Sequence, residues 1–253
     1  DPNKTDSDSD GTNDNEEITL NRNPLKPGPD DKISDKEDLV AQEKAASDSK
    51  QNTMTAAYAR KFLTEYLTLK TQKGELSELD KNNLVQSFMD NLEPLTVNDA
   101  YNISSIKVSN DSSEESVRKY ASEMKKIFID DEQVLIDNSA TFEGLLKNLK
   151  EKNPDYKKYV EGLNYSAGKY EELVKKLWAL VVPEGLSKNH REAINGFNNV
   201  KIAIKNMAIA PIDPVVAVMG RKLYDVEIKR AYDALIDMQT IFDKYKIYIF
   251  KNL

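Results

Sequence analysis

The chain has 253 residues, 39% of them hydrophobic and 31% charged, with a formal net charge of -7; this fits a soluble, strongly helical protein of one large domain or two small ones. It has no cysteine, which excludes disulfides, a thiolate nucleophile and Cys-ligated zinc. No basic run exceeds a few residues and no apolar stretch reaches bilayer-spanning length, so nucleic acid is not expected as a partner and no segment here is expected to span a membrane.

The negative charge is concentrated at the amino end. Residues 1–38 hold 12 acids against five bases, and the 43 acids and 36 bases of the whole chain leave 31 of each for the rest. Within that segment Asp6, Asp8, Asp10, Gly11, Thr12, Asp14 and Glu17 fall at positions 1, 3, 5, 6, 7, 9 and 12 of a 12-residue calcium loop. The spacing has a physical reason. Three alternating carboxylates wrap one side of the ion, and Gly11 permits the sharp turn after them. The Thr12 carbonyl then points inward, Asp14 adds a ligand directly or through water, and Glu17 closes the shell with two oxygens. An all-oxygen shell suits Ca²⁺ better than zinc or other soft-ligand metals. The segment has no aromatic residue before Tyr58 and cannot build a hydrophobic core of its own. Binding and folding of this stretch are expected to be one event.

The stretch "DPNKTDSDSDGTNDNEE" at residues 1–17 resembles a thrombospondin type 3 repeat, with its DPN, its Asp-rich D-x-D-x-D-G core and its closing D-x-x-E. Such a resemblance, running to about residue 24, implies a secreted or cell-surface protein in which calcium stiffens a spacer. Asp1-Pro2-Asn3 looks like the tail of a preceding repeat, so the expectation is an upstream region carrying a membrane anchor. Residues 25–33 are a Pro- and Gly-rich connector.

From Ser34 the pattern is helical, and residues 34–253 are expected to form one bundle domain, with a possible subdivision near 94–112. Ser34 with Glu37 reads as a capping box. The helix it starts carries Ala59, Phe62, Tyr66 and Leu69 on one face and ends near Gly74. A shorter helix starts at Ser77 and is expected to bury Val85, Phe88 and Leu92. Residues 94–112 read as irregular, with "SNDSSEE" at 109–115 leading into the next helix. Val117, Ala121, Met124 and Phe128 begin a stripe that resumes at Leu135, Phe142, Leu145 and Leu149. A break between residues 129 and 140 is expected, because Asp131 and Asn138 interrupt it.

The remaining stripes hold a period near 3.5. They are Val160, Leu163, Ala167, Tyr170, Val174, Leu177, Val181; then Ala193, Phe197, Val200, Ile204, Met207; then Tyr224, Ile228, Ala231, Leu235, Met238, Phe242, Tyr245, Ile249. That period keeps one face of each helix against a neighbour. Asn153-Pro154 reads as a helix start, Val182 to Gly185 as a stop with Ser187 capping the next helix, and Asp213-Pro214 as N-cap and N1. The last helix is expected to run about 36 residues, on the order of 55 Å. Short connections force antiparallel neighbours. The predicted fold is therefore all-α, an elongated antiparallel bundle of about five to six helices preceded by an EF-hand-like calcium loop. The body, with "VPEGL" and "PIDPVVAV" before its last two helices, is similar to helical domains of bacterial surface proteins that carry such repeats.

Other candidate residues read as structural. His190, the single histidine, extends the stripe of its helix and is expected to be capped or half-buried. Trp178 is expected to pack in the core or a groove, and the tyrosines at seam positions to pack the bundle. Asp130-Asp131-Glu132 lacks loop spacing and reads as a solvated face. No P-loop, GxGxxG, HExxH or GxSxG motif is present. These readings point to a non-enzymatic, calcium-binding, extracytoplasmic interaction or scaffold module. Its metal ligands are Asp6, Asp8, Asp10, Thr12, Asp14 and Glu17, its partner a protein, and its only membrane link the upstream anchor. The alternatives are a ligand-binding or enzymatic bundle, and an accessory protein of a pilus or secretion apparatus.

Overall fold

Apolar side chains repeating at three- and four-residue intervals become buried helical stripes here, and the charged residues between them face water. The computed structural model describes residues 53–130 and 138–250. The calcium-loop residues, the connector, the Ser34–Glu37 capping box, Leu135 and the Asp131-Glu132 pair lie outside the described residues. From Tyr58 onward the chain belongs to one compact unit.

Among the described residues there are seven α-helices: α1 (Met54–Lys73), α2 (Glu78–Asp90), α3 (Glu114–Asp130), α4 (Ser139–Lys150), α5 (Tyr156–Ala179), α6 (Ser187–Ala208) and α7 (Pro214–Asp243). The fold is an all-α bundle, as the periodicity predicts. Its one sheet in these residues is a parallel pair of three-residue strands, β1 (Lys107–Ser109) and β2 (Val181–Pro183).

Helix boundaries follow local chemistry. Thr53 Oγ1 accepts from Ala56 N–H at 3.1 Å to open α1, and Gly74, at φ +82°, closes it in a left-handed conformation that glycine adopts at least cost. Ser77 and Asp80 form the reciprocal capping box of α2. Ser113 caps α3, and α4 starts afresh at Ser139 behind Asn138, on the far side of the expected break. Asp213 caps α7 through Val216 N–H at 3.3 Å, with Pro214 as its first residue.

Three boundaries differ from the sequence reading. Asn153-Pro154 stands ahead of α5 rather than at its cap: Asn153 Oδ1 accepts from Asp155 N–H at 3.0 Å, and the helix begins at Tyr156. Helix α5 ends at Ala179, because Val181 leaves the stripe to enter β2 and is 60% exposed. Ser187 is the first residue of α6, and its hydroxyl donates back to the Glu184 carbonyl at 2.7 Å. The last helix is also shorter than predicted, 30 residues, or about 45 Å. Lys246 takes a left-handed φ of 56°, Ile247 N–H bonds the Phe242 carbonyl at 3.1 Å, and the chain turns back. The Gln239 carboxamide then catches Ile247, Ile249 and Phe250 backbone groups. Tyr245 and Ile249 still pack against the core, but from a returning strap rather than a continuing helix. Phe250 lands between Phe128 and Phe242, with ring centroids 5.2 and 6.5 Å away.

Helix α6 is the centre. It packs most extensively against α7 and next against α5, with α4 on the far side of α5. Successive helices run antiparallel. Gly196 faces Ala231 while Gly220 faces Ala203 and Asn206, so residue numbers rise in α6 as they fall in α7. Gly144 against Tyr159 and Gly162 against Thr141 give the same sense for α4 and α5. A Cβ on Gly196 would sit 2.9 Å from the Ala231 side chain and 3.0 Å from its backbone nitrogen. The glycine therefore sets the close approach of the two largest core helices. Ala193, Phe197, Val200, Ile204 and Met207 are all fully buried, as are Ala231, Leu235, Met238 and Phe242 opposite.

The amino-terminal hairpin is different. Helices α1 and α2 contain no fully buried side chain. They meet through edge-on ring contacts of Tyr58 and Phe62 with Phe88, at 5.6 and 5.5 Å, and a Lys73–Asp80 ion pair at 2.5 Å. Val85, expected in the core, is 50% exposed, and Ala59 is exposed too. Phe88 faces inward as expected, and Leu84, one residue before Val85, takes the other inward position. Leu92 is buried as predicted, just beyond the helix.

Candidate functional site

The six predicted calcium ligands, Asp6, Asp8, Asp10, Thr12, Asp14 and Glu17, lie outside the described residues. Among the described residues no group of three or more His, Cys, Asp or Glu side chains could hold a metal ion. No helix there is long and apolar enough to cross a membrane.

Within the bundle, polar chemistry concentrates where the irregular segment 92–109 crosses α5, α6 and α7. This strap is fastened at six points. Lys222 Nζ donates to the Met89 and Leu92 carbonyls at 2.9 and 2.7 Å. Leu95 N–H bonds the Met219 carbonyl at 3.4 Å. Asn195, fully buried on α6, accepts from Tyr101 N–H at 2.9 Å and donates to the Tyr101 carbonyl at 2.7 Å. One carboxamide thus pairs a whole peptide residue, as a neighbouring strand would. Trp178 Nε1 donates to the Ser105 carbonyl at 2.7 Å, and β1 pairs with β2. Trp178 is 49% exposed, so its role is a hydrogen bond on the surface rather than the core or groove packing expected of it.

The sixth fastening is ionic. Arg230 on α7 makes a two-pronged pair with Asp99, at 2.8 and 2.7 Å. It also donates to Glu192 at 2.9 and 2.6 Å and to Glu227 at 3.4 Å. Hydrogen bonding from Arg230 outweighs burial and holds the Asp99 carboxyl below its usual range. Burial pushes Glu192 up, but hydrogen bonds from Arg191 and Arg230 overcome it, and its net displacement is also downward. Hydrogen bonding to Asp99, and then to Glu192, raises the Arg230 pKa further against the lowering effect of burial. A planar guanidinium suits such two-pronged recognition. Its donors are occupied by protein carboxylates, so the cluster anchors the strap. Beside it lies a cleft of about 370 Å³ between α6 and α7. Its charged lining is mixed in sign (Lys188, Lys229, Asp233, Asp237), and no Ser, Cys or His side chain lines it.

His190 is more deeply placed than expected. It is 1% exposed, and its Nδ1 lies 2.8 Å from the Tyr120 hydroxyl of α3. The same hydroxyl lies 3.7 Å from Met238 Sδ, and Nε2 has no hydrogen bond of normal geometry. Burial pushes the imidazole pKa down to about 4, opposed by the Leu177 backbone. Burial likewise pushes the Tyr120 phenol up. Both rings are neutral at pH 7. Tyr120 also contributes to the wall of a cleft of about 460 Å³ with Ser109, Ser116 and Glu123, but its hydroxyl is spent on His190.

Sequence reasoning identified His190 and missed Asp99, Asn195 and Arg230. One signal was available: "NGFNN" at 195–199 puts weak helix formers inside the most regular stripe. Buried asparagines in a helix need partners, and an irregular segment supplies them.

Comparison with protein-family models, with curated proteins and with solved structures finds no match for this chain.

Proposed function

We propose that this chain is a calcium-binding, non-enzymatic, extracytoplasmic module, in which a Ca²⁺-ordered segment links an anchor to a helical bundle that engages a protein partner. The single observation that carries the reading is the complete ligand spacing of Asp6, Asp8, Asp10, Thr12, Asp14 and Glu17, with Gly11 at the turn. The thrombospondin type 3 likeness of residues 1–17 supports the location outside the cytoplasm. The strap supports the scaffold role, because its strongest polar groups are committed to holding the bundle together.

The test is calorimetric titration of Ca²⁺ into the wild type and into Asp10→Ala. Saturable heat in the wild type and its loss in the variant is the expected pair of results. Absence of heat in both refutes the reading. Protease resistance of residues 1–24 should rise with Ca²⁺ and fall on adding a chelator.

A further inference from the structure

Helices α1 and α2 have no fully buried side chain, and both leave large apolar side chains in water. Leu63, Leu67, Val85 and Met89 are 55%, 51%, 50% and 37% exposed. Their positions are ordered. Leu63 and Leu67 each follow an inward-facing residue, Phe62 and Tyr66, by one position. Val85 and Met89 follow Leu84 and Phe88 in the same way. One residue turns a helix by about 100°. The two helices run antiparallel, since Phe62 meets Phe88 near one end and Lys73 meets Asp80 near the other. Equal steps on antiparallel helices carry both stripes to the same side. The hairpin therefore presents one apolar face built from both helices.

We propose that this face is covered by the same face of a second copy of the chain, forming a four-helix bundle about a two-fold axis parallel to the helices. Two observations select that occupant. Helix α1 carries Arg60, Lys61, Lys70 and Lys73 against Glu65, a net +3. Helix α2 carries Glu78, Asp80 and Asp90 against Lys81, a net -2. A two-fold along the helices sets α1 against the partner's α2 on both sides. Every neighbour in the square is then antiparallel and opposite in charge. A two-fold across the helices would put the two basic helices side by side. The second observation is the lack of any fully buried side chain in α1 or α2. An unsupported helix pair of this size gains too little from burial to offset its ordering. Doubling the pair supplies the missing core. The inference does not rest on calcium binding, because the face lies wholly on α1 and α2.

The test is the mass of the full chain by light scattering over a concentration series, with Ca²⁺ and with chelator. The wild type should approach twice the monomer mass in both. Leu63→Glu with Val85→Glu, both at exposed positions, should return the monomer mass with an unchanged circular dichroism spectrum. Because the chain has no cysteine, Leu63→Cys and Val85→Cys can be mixed and oxidised; the mixed disulfide should form faster than either self-linked product. A wild type that stays monomeric overturns the proposal, whether its own amino-terminal segment or water covers the face. So does a dimer that survives the double substitution, a dimer that needs Ca²⁺, or self-linking of Leu63→Cys at the faster rate.

Discussion

The α6–α7 pair and the α1–α2 hairpin are both antiparallel helix pairs, yet one is lined with fully buried side chains and the other has none. Their caps are equally good: Asp213-Pro214 opens α7 and the Ser77–Asp80 box opens α2. Local signals therefore do not separate them. The difference lies in how many neighbours each helix has. Helix α6 is enclosed by α5, α7 and the strap, and its stripe widens until even Asn195, Asn198 and Asn199 are buried. Helices α1 and α2 have chiefly each other, joined by three aromatic rings and one ion pair. Stability per helix follows enclosure, not capping or propensity.

The sharpest test of this contrast is a matched pair of truncations. Phe197 is fully buried and touches the rings of Phe128 and Tyr170; Phe197→Ala should cost about 3–5 kcal/mol in urea unfolding. Phe88→Ala, in the hairpin, should cost about 1 kcal/mol. It should act locally, speeding hydrogen exchange in α1 and α2 while leaving α6 protected. Equal losses at the two sites would show that the hairpin is as enclosed as the centre.

The next effect is on pH dependence. His190 has a folded-state pKa of about 4, below an unfolded value of about 6.5. The unfolded chain thus binds more protons in this interval, and stability falls as pH falls. The contribution is complete above about pH 6.5 and is lost progressively toward pH 4, about 3 kcal/mol in all. The downward displacements at Asp99 and Glu192 act in a lower window, as acid passes through the carboxylate range. His190→Gln should flatten the melting-temperature slope between pH 6.5 and 4. The chain has one histidine, so its imidazole resonance can be titrated without assignment; a midpoint near 6.5 would contradict the sealed environment.

The smallest core effect expected is at the strap. Asn195→Ala leaves the Tyr101 N–H and carbonyl without their partner and should cost about 1–3 kcal/mol. The readout that distinguishes the strap from the helix is limited proteolysis, with new cleavage between residues 97 and 106. Cleavage unchanged from wild type would mean that Arg230 and Trp178 hold the segment alone.

Much of the bundle is legible in the sequence. The stripes of α3, α5, α6 and α7 match buried positions nearly residue for residue, because a 3.5 period is a local property of the chain and leaves little choice of face. Misreadings cluster where a stripe runs out. Tyr245 and Ile249 keep the rhythm but lie past the end of α7 at Asp243, on either side of a left-handed Lys246. Val181 keeps it but enters β2. Val85 faces water while Leu84 takes the inward place beside Phe88. Tyr245 and Ile249 still make core contacts from a different backbone, whereas Val181 and Val85 face water.

Composition and spacing by themselves determined the helical class, the order of the helices and the core stripes. Each of these depends on residues within a turn or two of one another. Tertiary structure alone decided the strap. Tyr101 and Asn195 are 94 residues apart, and Asp99 and Arg230 are 131 apart. A lone carboxylate and a distant guanidinium carry no periodic mark and become partners only when packed helices bring them together; Asn195, fully buried, is held to Tyr101 because an unpaired polar group away from water is costly.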